Sequence, residues 1–132
     1  MRYMIMFKAD SDTEAAAPAC IAKPEMGRFI EQLASRGVLL ASEGLQPSTQ
    51  NAARIRFSGG RMNVVDGPFA EAKELVAGFA LVEVPSYESA VELAQAFLQI
   101  AGDGNAAEVR EVIPHPTVDS APAIEKVHAL AH

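Results

Sequence analysis

Histidine is missing from the first 114 residues, tryptophan from all 132, and cysteine occurs once, at Cys20. A single thiol excludes an internal disulfide framework and a four-cysteine zinc site. Aromatic residues make up only 6% of the chain, so the core must come from Ala, Val, Leu, Ile, Met and six Phe. Basic side chains are also scarce, eleven against seventeen acidic, for a formal charge of −6. That balance argues against a nucleic-acid partner, because phosphate-backbone binding needs clustered Lys and Arg to displace counterions. Arg54, Arg56 and Arg61 form a local basic cluster nonetheless. No apolar run approaches the ~20 residues of a membrane helix. The apolar start, Met1 to Phe7, breaks at Lys8 and Asp10 and is too short for a secretory signal. A cytoplasmic protein with no membrane partner is expected.

What is present reads as an ordinary globular composition, 49% apolar and 21% charged. Residues 3–7 form a short apolar run of strand type. Residues 10–18, acidic and Ala-rich, read as a loop of weak order. Met26, Phe29, Ile30, Leu33 and Ala34 then mark a one-faced helix ending at Gly37, with Arg36 at its C-terminus. Strands follow at 38–41, 54–57 and 61–65, the last two joined by a turn at Ser58-Gly59-Gly60. The 76–84 run is too continuously apolar to have one wet face, so cover is expected on both. Ser86 is placed to cap a second helix, striped by Ala90, Val91, Ala94, Phe97, Leu98 and Ala101. A last strand spans 107–113, and Pro114 and Pro116 end regular structure.

The order β-α-β, hairpin, β-α-β predicts an α+β, ferredoxin-like unit with helices on one face of an antiparallel sheet. The domain is expected to occupy residues 1–113, leaving 114–132 as a C-terminal tail with a short docked helix. Two helices cover one sheet face only. The cheapest cover for the other is a second copy, so the chain itself is the expected partner, as a homodimer.

Chemistry-bearing residues concentrate at Asp66-Gly67-Pro68-Phe69-Ala70-Glu71-Ala72-Lys73-Glu74. The bland explanation is a turn in which Asp66 accepts backbone amides and Pro68 and Glu71 open a helix. The functional one places acid, base and cation beside a cleft, where a carboxylate made more basic by burial acts as general base. Arg54 and Arg56 share a strand face and are suited, with Lys73, to grip an anionic ligand.

This nine-residue stretch resembles the DGPF motif of the YCII-related family. Gly37 to Ser48 before it and Gly78-Phe79 after it agree with the same pattern, over roughly residues 1–113. The resemblance implies a dimeric α+β barrel of ferredoxin-like halves. Many members of that family have no established activity. In the wider superfamily some relatives carry a His–Asp pair proposed as acid–base machinery, and one branch eliminates chloride from a chlorinated hydroxyquinol. Here no histidine precedes residue 115, so the histidine's role passes to no residue, and Asp66 alone matches the motif's acid.

His128 and His132 are spaced to share one helical face, but the tail adds only Asp119 and Glu125 as further ligands, and an isolated histidine pair is a weak metal motif. Cys20 has no neighbouring base, and Asp10-Ser11-Asp12 lacks the Gly and Glu of a calcium loop. No metal and no cofactor are expected. The sequence thus predicts a homodimeric small-molecule-binding protein with a cleft near Glu43, Asp66 and the DGPF turn. The expected ligand-binding set is Glu43, Arg54, Arg56, Asp66, Glu71, Lys73 and Glu74, with Asp66 the catalytic candidate. Two alternatives stand beside it. One is a small lyase or isomerase using carboxylate acid–base catalysis on an aromatic or acidic metabolite. The other is a non-catalytic sensor linked to transcription regulation.

Overall fold

A computed structural model describes residues 1–10, 12–69 and 74–114. Strand β1 (Arg2–Ala9) is followed by a 3₁₀ turn (Glu14–Ala16), α1 (Ala17–Ile21), α2 (Pro24–Ser35) and β2 (Leu39–Gly44). The hairpin β3 (Ala53–Ser58) and β4 (Arg61–Asp66) comes next, then β5 (Leu75–Glu83), α3 (Tyr87–Ala101) and β6 (Ala106–Glu111). Residues 12–18 are therefore not a loose loop, and Ser11 lies outside the described residues. Asp10 anchors them: its Oδ1 accepts from the Asp12 and Thr13 amides at 2.9 and 2.8 Å, and the chain winds on into α1.

Four strands form one antiparallel sheet in the order β2-β5-β1-β6, with α2 and α3 as the crossovers. With the hairpin set aside, this is the ferredoxin-like arrangement that the element order implies. The helix ends follow local chemistry. At the end of α2 the Val38 amide reaches the Leu33 carbonyl (2.9 Å) and the Gly37 amide that of Ala34 (3.1 Å), a Schellman pair closed by a left-handed glycine. The Ser86 hydroxyl caps α3 by accepting from the Ser89 amide at 3.1 Å.

The core lies between the helices and one sheet face. Tyr3 and Ile5 of β1, Leu39 of β2 and Ala80 and Val82 of β5 meet Met26 and Leu33 of α2 and Ala90, Ala94 and Phe97 of α3. Along β5 the burial alternates: Gly78, Ala80 and Val82 are buried, while Ala77, Phe79 and Leu81 on the opposite face are only half-buried. Cover on both faces is thus not supplied by the described residues, whose helices pack on one side.

The hairpin forms a sheet of its own, in register Ile55 to Val64 and Phe57 to Met62. Gly59 and Gly60, at φ +60° and +74°, make its turn in a conformation that other residues adopt only at a cost. Every residue of both strands is exposed. Among the described residues no helix is long and apolar enough to cross a membrane.

Candidate functional site

Between the helices and one end of the sheet lies a partly open cavity of about 230 Å³. Its walls are mostly apolar. Cys20 and Ile21 come from α1, Met26 and Ile30 from α2, Phe97, Leu98 and Ala101 from α3, and Phe7, Gly44 and Gly78 from the sheet. Thr13, Ser42 and Asn105 add uncharged hydrogen-bonding groups. Lys8 and Glu43 border the cavity too, but Glu43 pairs with Phe79, so its exposed side chain lies on the sheet face turned from the helices.

On one side α1 reaches the sheet itself, its Ile21 side chain lying so close over Gly44 of β2 that a Cβ there would collide with it, and on the other it is fastened to α3. Lys23, in the α1–α2 junction, donates to the carbonyls of Ile100 and Ala101 at 3.2 and 3.0 Å. These are end carbonyls of α3, where the helix leaves acceptors unpaired and the dipole favours a cation. The Cys20 thiol makes a longer contact with the same Ala101 oxygen, at 3.8 Å. Beside this wall, the Thr13 hydroxyl and amide, with the Asp12 amide, bind the Asp10 carboxylate and hold its pKa below the usual value.

A second cluster surrounds the Asp66-Gly67-Pro68-Phe69 turn. Ser48, buried in the β2–β3 connection, donates its hydroxyl to Glu14 Oε1 at 2.6 Å and its amide to Oε2 at 3.0 Å. The same hydroxyl accepts the Phe69 amide at 3.1 Å. The Gly67 amide donates to the Ala52 carbonyl at 2.8 Å, and a Cβ on Gly67 would collide with the Ser48 carbonyl oxygen. Glycine is required here by the close passage of another chain segment. The Phe69 ring lies under the Arg54 guanidinium, 4.3 Å from ring centroid to Cζ.

These contacts correct one expectation. Asp66 does not organise the Gly67–Phe69 turn, because Gly67 donates to Ala52, Pro68 has no amide hydrogen, and Phe69 donates to Ser48. Ser48 holds the position expected of Asp66, whose own side chain is exposed at the end of β4. Of the other residues singled out, Glu43 lines the cavity. Arg54 and Arg56 stand exposed on one face of β3, and Glu74 is exposed just before β5. None of Arg54, Arg56, Asp66 and Glu74 lines the cavity with Glu43. Glu71, Lys73, His115, His128 and His132 lie outside the described residues.

Sequence reasoning missed Glu14, Lys23 and Ser48. Ser48 sits in a stretch that matches the family pattern, so a signal was there. Glu14 and Lys23 find partners 34 and up to 78 residues away, which no local pattern encodes.

In a comparison with curated proteins, one 51-residue stretch is 45% identical to an uncharacterized protein of Rhizobium meliloti (strain 1021), covering 39% of this chain and 40% of that protein. The matched part thus spans well under half the length of this curated relative. Far broader is the match to the YCII-related domain, which runs from residue 1 to residue 116 and takes in the sheet, both crossover helices and the Asp66–Phe69 turn. On that match the chain belongs to the YCII-related family.

Proposed function

We propose that this chain is a homodimeric small-molecule-binding protein of the DGPF branch, and that its ligand occupies the cavity between α1, α3 and the sheet. The cavity itself carries the reading. An apolar void of ~150 Å³ is enough to take a benzene ring, and this one measures about 230 Å³. The fit is to a ring-sized, largely apolar molecule with one polar substituent, met by Thr13, Ser42 or Asn105. The dimer reading is supported by the half-buried face of Ala77, Phe79 and Leu81, which no described helix covers. The proposed domain is residues 1–113, with 114–132 as an appendage.

A carboxylate acid–base reaction in the cavity gains no support: Glu43 borders it, but its pairing with Phe79 puts its exposed side chain on the sheet face turned from the helices, and Asp66 stands exposed at the end of β4. The exposed hairpin is what a sensor module would present to a protein target.

The test is an NMR titration with phenol and with indole as probes. Saturable shifts are expected at Cys20, Ile30, Gly78 and Ala101, and Ala101→Phe, which fills the cavity, should abolish them. Shifts that persist undiminished in the filled variant, or none at millimolar probe in the parent, would remove the cavity as a binding site.

A further inference from the structure

The hairpin has two unlike faces. Ile55, Phe57, Met62 and Val64 pair across the strands on one of them, exposed by 63, 68, 63 and 56%. Arg54, Arg56 and Arg61 occupy the other. Its strands pack on each other and make no comparable contact with another described element. A lone two-stranded hairpin is marginal in water, and an uncovered apolar face makes it more so.

We infer that this hairpin is an arm that docks on the body of a second copy of the same chain. The inference rests on the dimer reading above and names the element that makes the contact. Two observations select this occupant. The first is charge. The hairpin holds three of the eleven basic side chains and one of the seventeen acidic, leaving eight against sixteen for the rest of the chain. The arginines lie on the face opposite the docking one, so they act at long range, drawing the arm toward a copy whose remaining charge is negative.

The second is area. The four apolar side chains expose roughly 500 Å², at the upper end of the largest patch on a typical monomer. Two-fold symmetry provides two arms, each burying a similar area of its partner, for a total near ~2,000 Å². That reaches the range of stable dimers before the sheet face contributes. The half-buried Met4, Met6, Phe79 and Leu81, facing away from the helices, offer the apolar surface for the arm to meet.

The experiment is sedimentation velocity on the full chain from nanomolar to 100 µM protein, for the parent and for Phe57→Glu and Met62→Glu. Neither residue packs on the body of its own chain, so both variants should keep the parental circular dichroism. A parental dimer, weakened roughly 100-fold by either variant and weakened further by salt, is the expected result. A parental dimer with unchanged affinity in both variants would refute the arm and leave the dimer reading intact. A monomeric parent would refute both. Should a variant unfold, hydrogen exchange of the parental amides in 54–65 decides instead. Protection that rises with protein concentration supports the arm, and protection independent of concentration overturns it. Binding of the monomer to anionic phosphatidylserine vesicles, lost in Phe57→Glu, would assign the hairpin to a membrane surface and overturn the inference.

Discussion

Replacing Phe97 by alanine tests the core and the cavity together. The side chain is 1% exposed, and it meets Phe7 and Phe29 edge-on, with centroids 5.3 and 4.9 Å away. Phe→Ala in a core costs about 3–5 kcal/mol, and each edge-to-face pair adds about 0.5–1.5 kcal/mol beyond area, so a loss near the top of the range is expected. Against a total of about 5–15 kcal/mol for a domain, that leaves a marginal fold. The assay is urea denaturation at one fixed protein concentration, because a linked dimer makes stability depend on concentration. The midpoint should fall steeply with the slope unchanged. Phe97 also lines the cavity, so its loss enlarges the void. A ligand at 100 times its Kd returns about 2.7 kcal/mol, and toluene should therefore rescue Phe97→Ala more than the parent. A loss under ~1.5 kcal/mol, or equal rescue of both proteins, would show that Phe97 does not separate core from cavity as described.

Ser48→Ala should cost about 1–3 kcal/mol, since it strands the Phe69 amide and removes a bond to Glu14, whereas Asp66→Ala should stay within about 0.5 kcal/mol; thermal melts giving the reverse order would restore Asp66 as the organiser of the turn. Gly67→Ala forces the Ser48 backbone to shift and should lower stability by about 1–3 kcal/mol in the same melts. Asp10 has a folded pKa below its unfolded value, so its stabilising contribution is present above the unfolded pKa and disappears as pH falls through the folded one. Asp10→Asn should accordingly flatten the acid limb of a stability–pH profile and leave its alkaline side unchanged. Deleting residues 117–132 should leave a folded chain by circular dichroism with a small loss of melting temperature; collapse would place the tail within the core.

Helices α2 and α3, the stop of α2 at Gly37, the Ser86 cap and the Gly59-Gly60 hairpin were all legible in the sequence. Each depends on interactions within a few residues: periodic apolar faces, a capping hydroxyl, glycines that accept positive φ. The strand order followed too, because two βαβ units can meet in one sheet in few ways. The winding of residues 12–21 was not legible. Its Asp10–Thr13 bonds are local, but polar, Ala-rich segments with a proline look alike whether ordered or loose. The candidate site divided along the same line. Residue types of the DGPF turn could be read directly, yet the partners that organise it, Ser48 and Glu14, arrive from distant segments. The cavity was illegible altogether. Its walls come from α1, α2, α3 and the sheet, and a gap between packed layers belongs to no stretch of chain. Sequence alone settles what neighbouring side chains dictate; where the chain folds back on itself, only the tertiary structure decides which groups meet and which space they leave.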